Sequence, residues 1–272
     1  MRRFDIKVRL PSGKETRITE LTNRHYLQII KFSENQDLEG LNAFFNEELF
    51  RDNSLDIIDR FFLAIFYRMM FVSGKISFQM KTGHAVDYDL NVILEKIQFE
   101  YENYTREIKD SGFIIALGLP NTLFFNGADD LYNNVIKEVT FKERVIDFRR
   151  ITRDEQDIIL SHLPHSIFFK IKDYINNLSQ ALQGFVVIEG NEEFEIQRYE
   201  IDILSNGVMG FICSLFSGGL GSFYSSLYHF TSKLHGDSQL FYDLTPLELR
   251  VIFNLHNNEI EEQNRQLKNQ QH

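Results

Sequence analysis

The sequence predicts an α+β protein in which helical N- and C-terminal parts flank a β-rich middle segment, with a β-hairpin at the N-terminus. Three observations predict it. Apolar and charged residues alternate in "MRRFDIKVRL". Apolar residues recur at steps of three and four from Leu55 to Val72 and return to helical spacing after Thr152. Between those stretches, β-branched and aromatic residues bounded by glycines replace the helical spacing. The corresponding division is 1–74, 75–150 and 151–272, packed as one structural unit.

In the hairpin, Phe4, Ile6, Val8 and Leu10 share one strand face, Asp5, Lys7 and Arg9 the other, and "PSGK" turns the chain into "ETRITEL". Helices follow over residues 23–32 and 38–50. The stripe Leu55, Ile58, Phe62, Ile65, Met69 and Val72 marks a third, with Asn53 or Ser54 as N-cap and Gly74 as its stop. In the middle segment, "KISFQMKTGHAVDYDL", "QFEYENYT", "SGFIIALGLPNTLFF" and "IKEVTFKERVIDFRR" read as strands around one short helix. At Thr152, "TRDE" has the capping-box form in which a Thr hydroxyl and a Glu carboxylate satisfy each other's backbone amides. A further helix over 166–183 precedes two strands in "FVVIEG" and "EEFEIQRYEIDIL". A second capping box, "TPLE" with Pro246 at the first helical position, opens the last helix, which carries Leu247, Val251 and Leu255 at four-residue steps. Beyond Glu259 apolar residues thin out, and "EEQNRQLKNQQH" reads as a solvated helix end or a frayed tail.

Composition narrows the function. Lys and Arg total 29 against 39 Asp and Glu, a net charge of −10. The basic residues are scattered, which disfavours sequence-independent nucleic-acid binding. The 26 phenylalanines, with no tryptophan, supply most of the large core volume. The single cysteine, Cys213, sits in an apolar run and reads as a buried thiol in a reducing compartment. The charged, alternating N-terminus lacks the unbroken apolar stretch of a signal peptide.

The least usual stretch is "GVMGFICSLFSGGLGSFYSSLYHFTSK", residues 207–233. It lacks the spacing and the lysine of a phosphate-binding loop. It is long enough to span a bilayer, but nine of the 21 residues from Val208 to Tyr228 are Gly or Ser, and no basic cluster flanks it. On a helical wheel, Gly210, Ser214, Ser217, Gly218, Gly221, Ser222 and Ser225 fall on one arc, and Ile212, Cys213, Phe216, Leu220, Phe223, Tyr224 and Leu227 on the other. Small side chains admit a neighbouring backbone, so this reads as a helix buried on both sides. A sharper version docks its small face on a partner subunit. The partner-binding candidates are therefore Gly210, Ser214, Gly218, Gly221 and Ser222, with Leu247, Val251 and Leu255 of the last helix.

No catalytic, metal or cofactor set emerges. His162 and His165 are separated by Pro164, a helix boundary. His84, Asp87 and Asp89 belong to a hairpin region, where the two aspartates read as a solvated face. The pairs Glu192 with Glu193 and Asp129 with Asp130 lie in polar turns. An intracellular enzyme with a site built around His84 or His162 stays as an alternative, as does a tail protein inserted in a membrane through residues 208–228.

The order of segments resembles the baseplate hub proteins, including hub assembly proteins, of T-even-like phages with contractile tails. "VRLPSGKETRITELTNRHYLQII" is similar to that family's N-terminal hairpin and helix. "VDYDLNVILEKIQFEYENYTREIKDSGFIIALGLPNTLFF" is similar to its middle β module, with the Leu-x-Leu-Pro-like step at Leu117 to Pro120. "ITRDEQDIILSHLPHSIFFKIKDYI" matches an acidic helix ending in Leu-Pro, and "FYSSLYHFTSKLHGDSQLFYDLTPLELRVIFNLHNNEIEEQN" resembles the family's C-terminal pattern. The resemblance implies a structural or assembly protein without catalysis or cofactor, whose partners are other baseplate hub or tail proteins, with neither nucleic acid nor membrane. It implies assembly in the host cytoplasm and a place in the virion baseplate, and leaves homo-oligomerisation and a transient chaperone role open.

Overall fold

The computed structural model of the chain describes residues 6–50, 52, 54–79, 85–102, 104–182, 186–191, 196–217 and 219–270. Of the residues singled out above, Phe4, Asp5, Asn53, His84, Glu192, Glu193 and Gly218 lie outside them. The protein is a mixed helix and strand fold, opening on a hairpin, carrying its main sheet in the middle and ending in helices.

The hairpin pairs β1 (Ile6–Arg9) with β2 (Glu15–Ile18), in a register that sets Ile6 opposite Ile18. Gly13 closes the turn at φ +80°, a conformation costly for side chains with a Cβ. Val8, Leu10 and Ile18 are buried, so the alternation aims one face into the core. Next come α1 (Asn23–Glu34) and α2 (Leu38–Phe44), the latter running into a π-helical turn, Phe45–Phe50. Helix α3 (Ile57–Phe71) is the central element, buried nearly all round. Its N-cap is Asp56, not Asn53 or Ser54: the Asp56 carboxylate accepts the Ile58 and Asp59 amides at 2.9 and 3.0 Å. Aspartate caps as well as serine.

The middle segment holds more helix than the sequence predicts. After the hairpin of β3 (Lys75–Gln79) and β4 (Ala85–Asp89), α4 (Leu90–Glu100) takes up the start of "QFEYENYT". Leu90, Ile93, Leu94 and Ile97 recur at helical spacing and are buried, and Asp89 caps the first turn; this outweighs the aromatic content read as strand. Strands β5 (Arg106–Asp110), β6 (Phe113–Leu117), β7 (Ile136–Phe141) and β8 (Arg144–Asp147) form a four-stranded antiparallel meander, with α5 (Ala128–Val135) inserted before β7.

The C-terminal part begins with α6 (Arg153–Ser161), whose predicted capping box is present in both directions between Thr152 and Glu155. Helix α7 (His165–Leu182) follows, then a ribbon of β9 (Val186–Asn191) and β10 (Ile196–Ile201). The glycine- and serine-rich stretch is not one helix. It forms α8 (Gly207–Phe216) and α9 (Leu220–Ser232), interrupted where Ser217 takes an extended conformation. A short α10 (Ser238–Asp243) leads to α11 (Pro246–Gln270), opened by the predicted Thr245–Glu248 box at 2.8 and 3.1 Å. One apolar cluster runs from Val8 to Phe216 and draws on all three parts of the chain. A second gathers Ile30, Phe223, Phe230, Phe241, Leu244 and Leu249.

A buried polar network ties the hairpin to α3. The Ser12 amide and hydroxyl both donate to the Asp59 carboxylate, at 3.1 and 2.7 Å. Next along α3, Arg60 donates to the Leu55 carbonyl at 3.0 Å and to Asn46. Burial, with the Asp56 charge beside it, pushes the Asp59 carboxyl from 3.8 up to about 6, against the two Ser12 hydrogen bonds and Lys14. Between those values the folded chain holds a proton that the unfolded chain has released, so this group's contribution to stability falls as pH rises from about 4 to about 6. At about 1.4 kcal/mol per unit, the loss is at most about 3 kcal/mol. In Asp59→Asn the amide oxygen still accepts from Ser12 and nothing titrates. Thermal melts across that range should show the variant losing less stability than the wild type as pH rises. Parallel curves would contradict the assignment.

Candidate protein-docking site

The end of α3, the N-terminal turns of α1 and α9, and the first turns of α11 meet around an open groove of about 280 Å³. Its α9 edge is Gly219, Ser222 and Ser226, its floor is Tyr26, Phe223 and Phe241, and its α11 wall is Leu249, Arg250 and Phe253. Local sequence explains each side. At Gly219, where α9 starts, a Cβ would lie 3.2 Å from Ile30 and 3.4 Å from the Tyr26 hydroxyl, so a larger residue would press on α1. The first close neighbour admitted by this glycine-rich stretch is thus the chain's own α1. On α11, Leu249 is buried and Ile252 and Phe253 pack against the second cluster. The rings of Phe253 and His256 lie 5.0 and 5.9 Å from that of His229 on α9.

Arg250 lines the groove, and Arg68 lies outside the lining but close enough to act on Arg250 and Tyr26. Arg250 donates to the Val72 carbonyl, while Arg68 donates to the carbonyls of Leu215 at 2.8 Å and Ser73 at 3.0 Å. Burial pushes the Tyr26 phenol up, although both guanidiniums pull it the other way.

The predicted partner-binding residues separate into four groups. Ser222 stands in the groove. Gly210, Ser214 and Gly221 lie outside its lining: Ser214 and Gly221 are exposed, and a Cβ on Gly210 or Gly221 would meet nothing within 4 Å. Within the chain the small face is therefore bare, not buried on both sides. Gly218 is outside the described residues. Leu247, Val251 and Leu255 are 44%, 51% and 60% exposed and form an apolar strip on α11 facing away from the helices it packs against. Sequence reasoning missed Tyr26, Arg68, Arg250 and Phe253, because no periodicity within one helix links positions so far apart.

Other candidates stay dispersed. His162 caps α6, with its Nδ1 2.7 Å from the Ile158 carbonyl, and Pro164 separates it from His165 at the start of α7. Asp87 accepts from Ser77, Asp89 caps α4, and Asp130 holds Arg153 at 3.1 Å. A larger cleft of about 450 Å³ is lined by Tyr132, Asn133, Arg153, Leu160, Phe168 and Phe169. Among the described residues no group of three His, Cys, Asp or Glu side chains could hold a metal ion. Gly207–Ser232 is the one described stretch long and apolar enough to cross a membrane, at mean hydropathy 1.3, and Val208, Met209, Ile212, Cys213 and Phe216 within it are buried in the core.

A family model described as T4 bacteriophage base plate protein matches residues 1–189, well over half of the 272-residue chain. No curated protein and no solved structure matches.

Proposed function

The chain belongs to the T4 bacteriophage base plate protein family, and from that premise we propose that it is a structural or assembly component of the baseplate hub, acting through protein contacts and without catalysis. Membership makes it a phage baseplate protein, a component of the virion tail whose partners are other baseplate and tail proteins. The observation that carries the finer reading is the bare apolar strip Leu247, Val251 and Leu255 on α11. At 1.5 Å per residue this helix of 25 residues is about 37 Å long, and from Asn257 to Leu267 every side chain is exposed. Half a helix and an apolar strip left in solvent fit a part whose surface is completed by neighbours.

The three parts 1–74, 75–150 and 151–272 act in this reading as one unit, which presents the face formed by α8, α9 and α11 to other hub proteins in the host cytoplasm. The test is quantitative mass spectrometry of purified tails and of tail intermediates from infected cells. The chain is expected in one or both, in fixed ratio to other hub proteins. Presence in intermediates alone identifies an assembly factor, and absence from both contradicts the proposal.

A further inference from the structure

We infer that the groove between α9 and α11 anchors a helix of a partner tail protein, through an aspartate or glutamate side chain that seats on Arg250 and is flanked by apolar residues. The inference rests on the baseplate reading and supplies the chemistry of the partner.

Charge is the first support. The carbonyls of consecutive residues, Val72 and Ser73, hold the two guanidiniums. Among the described residues neither arginine belongs to an ion pair, whereas Arg24, Arg150 and Arg153 each reach an aspartate. Among the described lining residues Arg250 is the only charged one, so the groove offers a cation and no acidic partner for it. Burial pushes Arg68 down, and the Arg250 charge adds to that fall while Tyr26 opposes it. A carboxylate placed on Arg250 would offset its repulsion with Arg68 and gain a charge-assisted hydrogen bond.

Shape is the second. Gly219, Ser222 and Ser226 follow one another at steps of three and four, a low ridge against which a helix can lie closely. The volume of about 280 Å³ falls just below the roughly 300–1,000 Å³ of small-molecule pockets, which favours a side-chain anchor within a larger contact. At about 100° per residue, Arg250 lies on α11 between Phe253 and Leu247. A helix anchored at Arg250 therefore reaches the Leu247, Val251 and Leu255 strip next to the groove.

The experiment uses the full chain and fluorescent 20-residue peptides tiling the phage's other tail proteins. The expected binders carry an acid with apolar residues three or four positions away, and changing that acid to glutamine weakens binding at least about tenfold. Arg250→Glu should lose the natural peptide to a similar degree and gain the peptide in which the acid is replaced by arginine, a rescue no misfolded variant could give. Ser222→Trp, at an exposed position, should block both. The inference is overturned if no peptide binds, if only C-terminal peptides bind through their terminal carboxylate, if the glutamine peptide binds as well as the acid, or if Arg250→Glu and Ser222→Trp keep wild-type affinity. Tail peptides that bind elsewhere would remove this site and leave the baseplate reading standing. That reading falls separately, if the chain is missing from tails and their intermediates.

Discussion

Replacing Phe216 by alanine should lower the stability of the folded chain by about 3–5 kcal/mol, a large part of the roughly 5–15 kcal/mol available to a natural protein. Phe216 ends α8 at 1% exposure and stands 6.4 Å, between ring centroids, from both Tyr26 of α1 and Phe45 of the π-helical turn. One ring therefore holds three elements of the first core cluster, at the place where the chain leaves α8 and crosses toward α9. Its loss removes apolar burial and leaves a cavity lined by rings whose own backbones are fixed, so little collapse can compensate. At roughly 2–4 °C per kcal/mol for a chain of this size, the melting temperature should fall by on the order of 10 °C. Tyr228→Ala, at a position 67% exposed, is the control and should change stability by under about 0.5 kcal/mol. Equal effects of the two substitutions would contradict the core assignment.

The second large effect concerns binding alone. In Val251→Lys combined with Leu255→Lys, both positions are half exposed or more, and lysine is a good helix former. The new ammonium groups lie three residues after Glu248 and four before Glu259, spacings at which opposite charges support a helix. Thermal stability should therefore stay within about 0.5 kcal/mol of the wild type. If the strip is covered by a tail protein, the same change buries two ammonium groups in an apolar contact. Affinity for that partner should fall at least about a hundredfold, the cost of desolvating charge without a counter-ion. Equilibrium binding to isolated tail intermediates, measured beside a melt, reads both quantities.

Local signals in the sequence carried much of the fold. The N-terminal hairpin, both capping boxes at Thr152 and Thr245, Pro246 at the start of α11 and the buried stripe of α3 each depend on residues within a few positions of one another. Where the reading slipped, a local signal competed with a tertiary one. The aromatic run after Ile97 has strand character, yet burial of Leu90, Ile93, Leu94 and Ile97 on one side makes the segment up to Glu100 a helix. A helical wheel assumes continuity, so it carried one helix across residues 217–219, where Ser217 turns extended and a new helix starts after Gly219.

The candidate site was legible only in part. Leu247, Val251 and Leu255 are as exposed as a docking strip requires, and Ser222 enters the groove. The groove itself is assembled from positions as distant as Asn23 and Phe253, and its arginine, Arg250, belongs to no motif. Burial likewise decides Asp59: nothing in the spacing of Asp56 and Asp59 tells which carboxylate lies under the hairpin turn and which caps α3.

The most direct test of the central claim, that this chain works by presenting its C-terminal helical face to other tail proteins, is the yield of complete tails in cells infected by phage whose chain carries lysine at both 251 and 255. The account predicts that the variant accumulates folded, with wild-type thermal stability, while complete tails fall by about an order of magnitude or more. A wild-type yield of tails containing the double variant would contradict it.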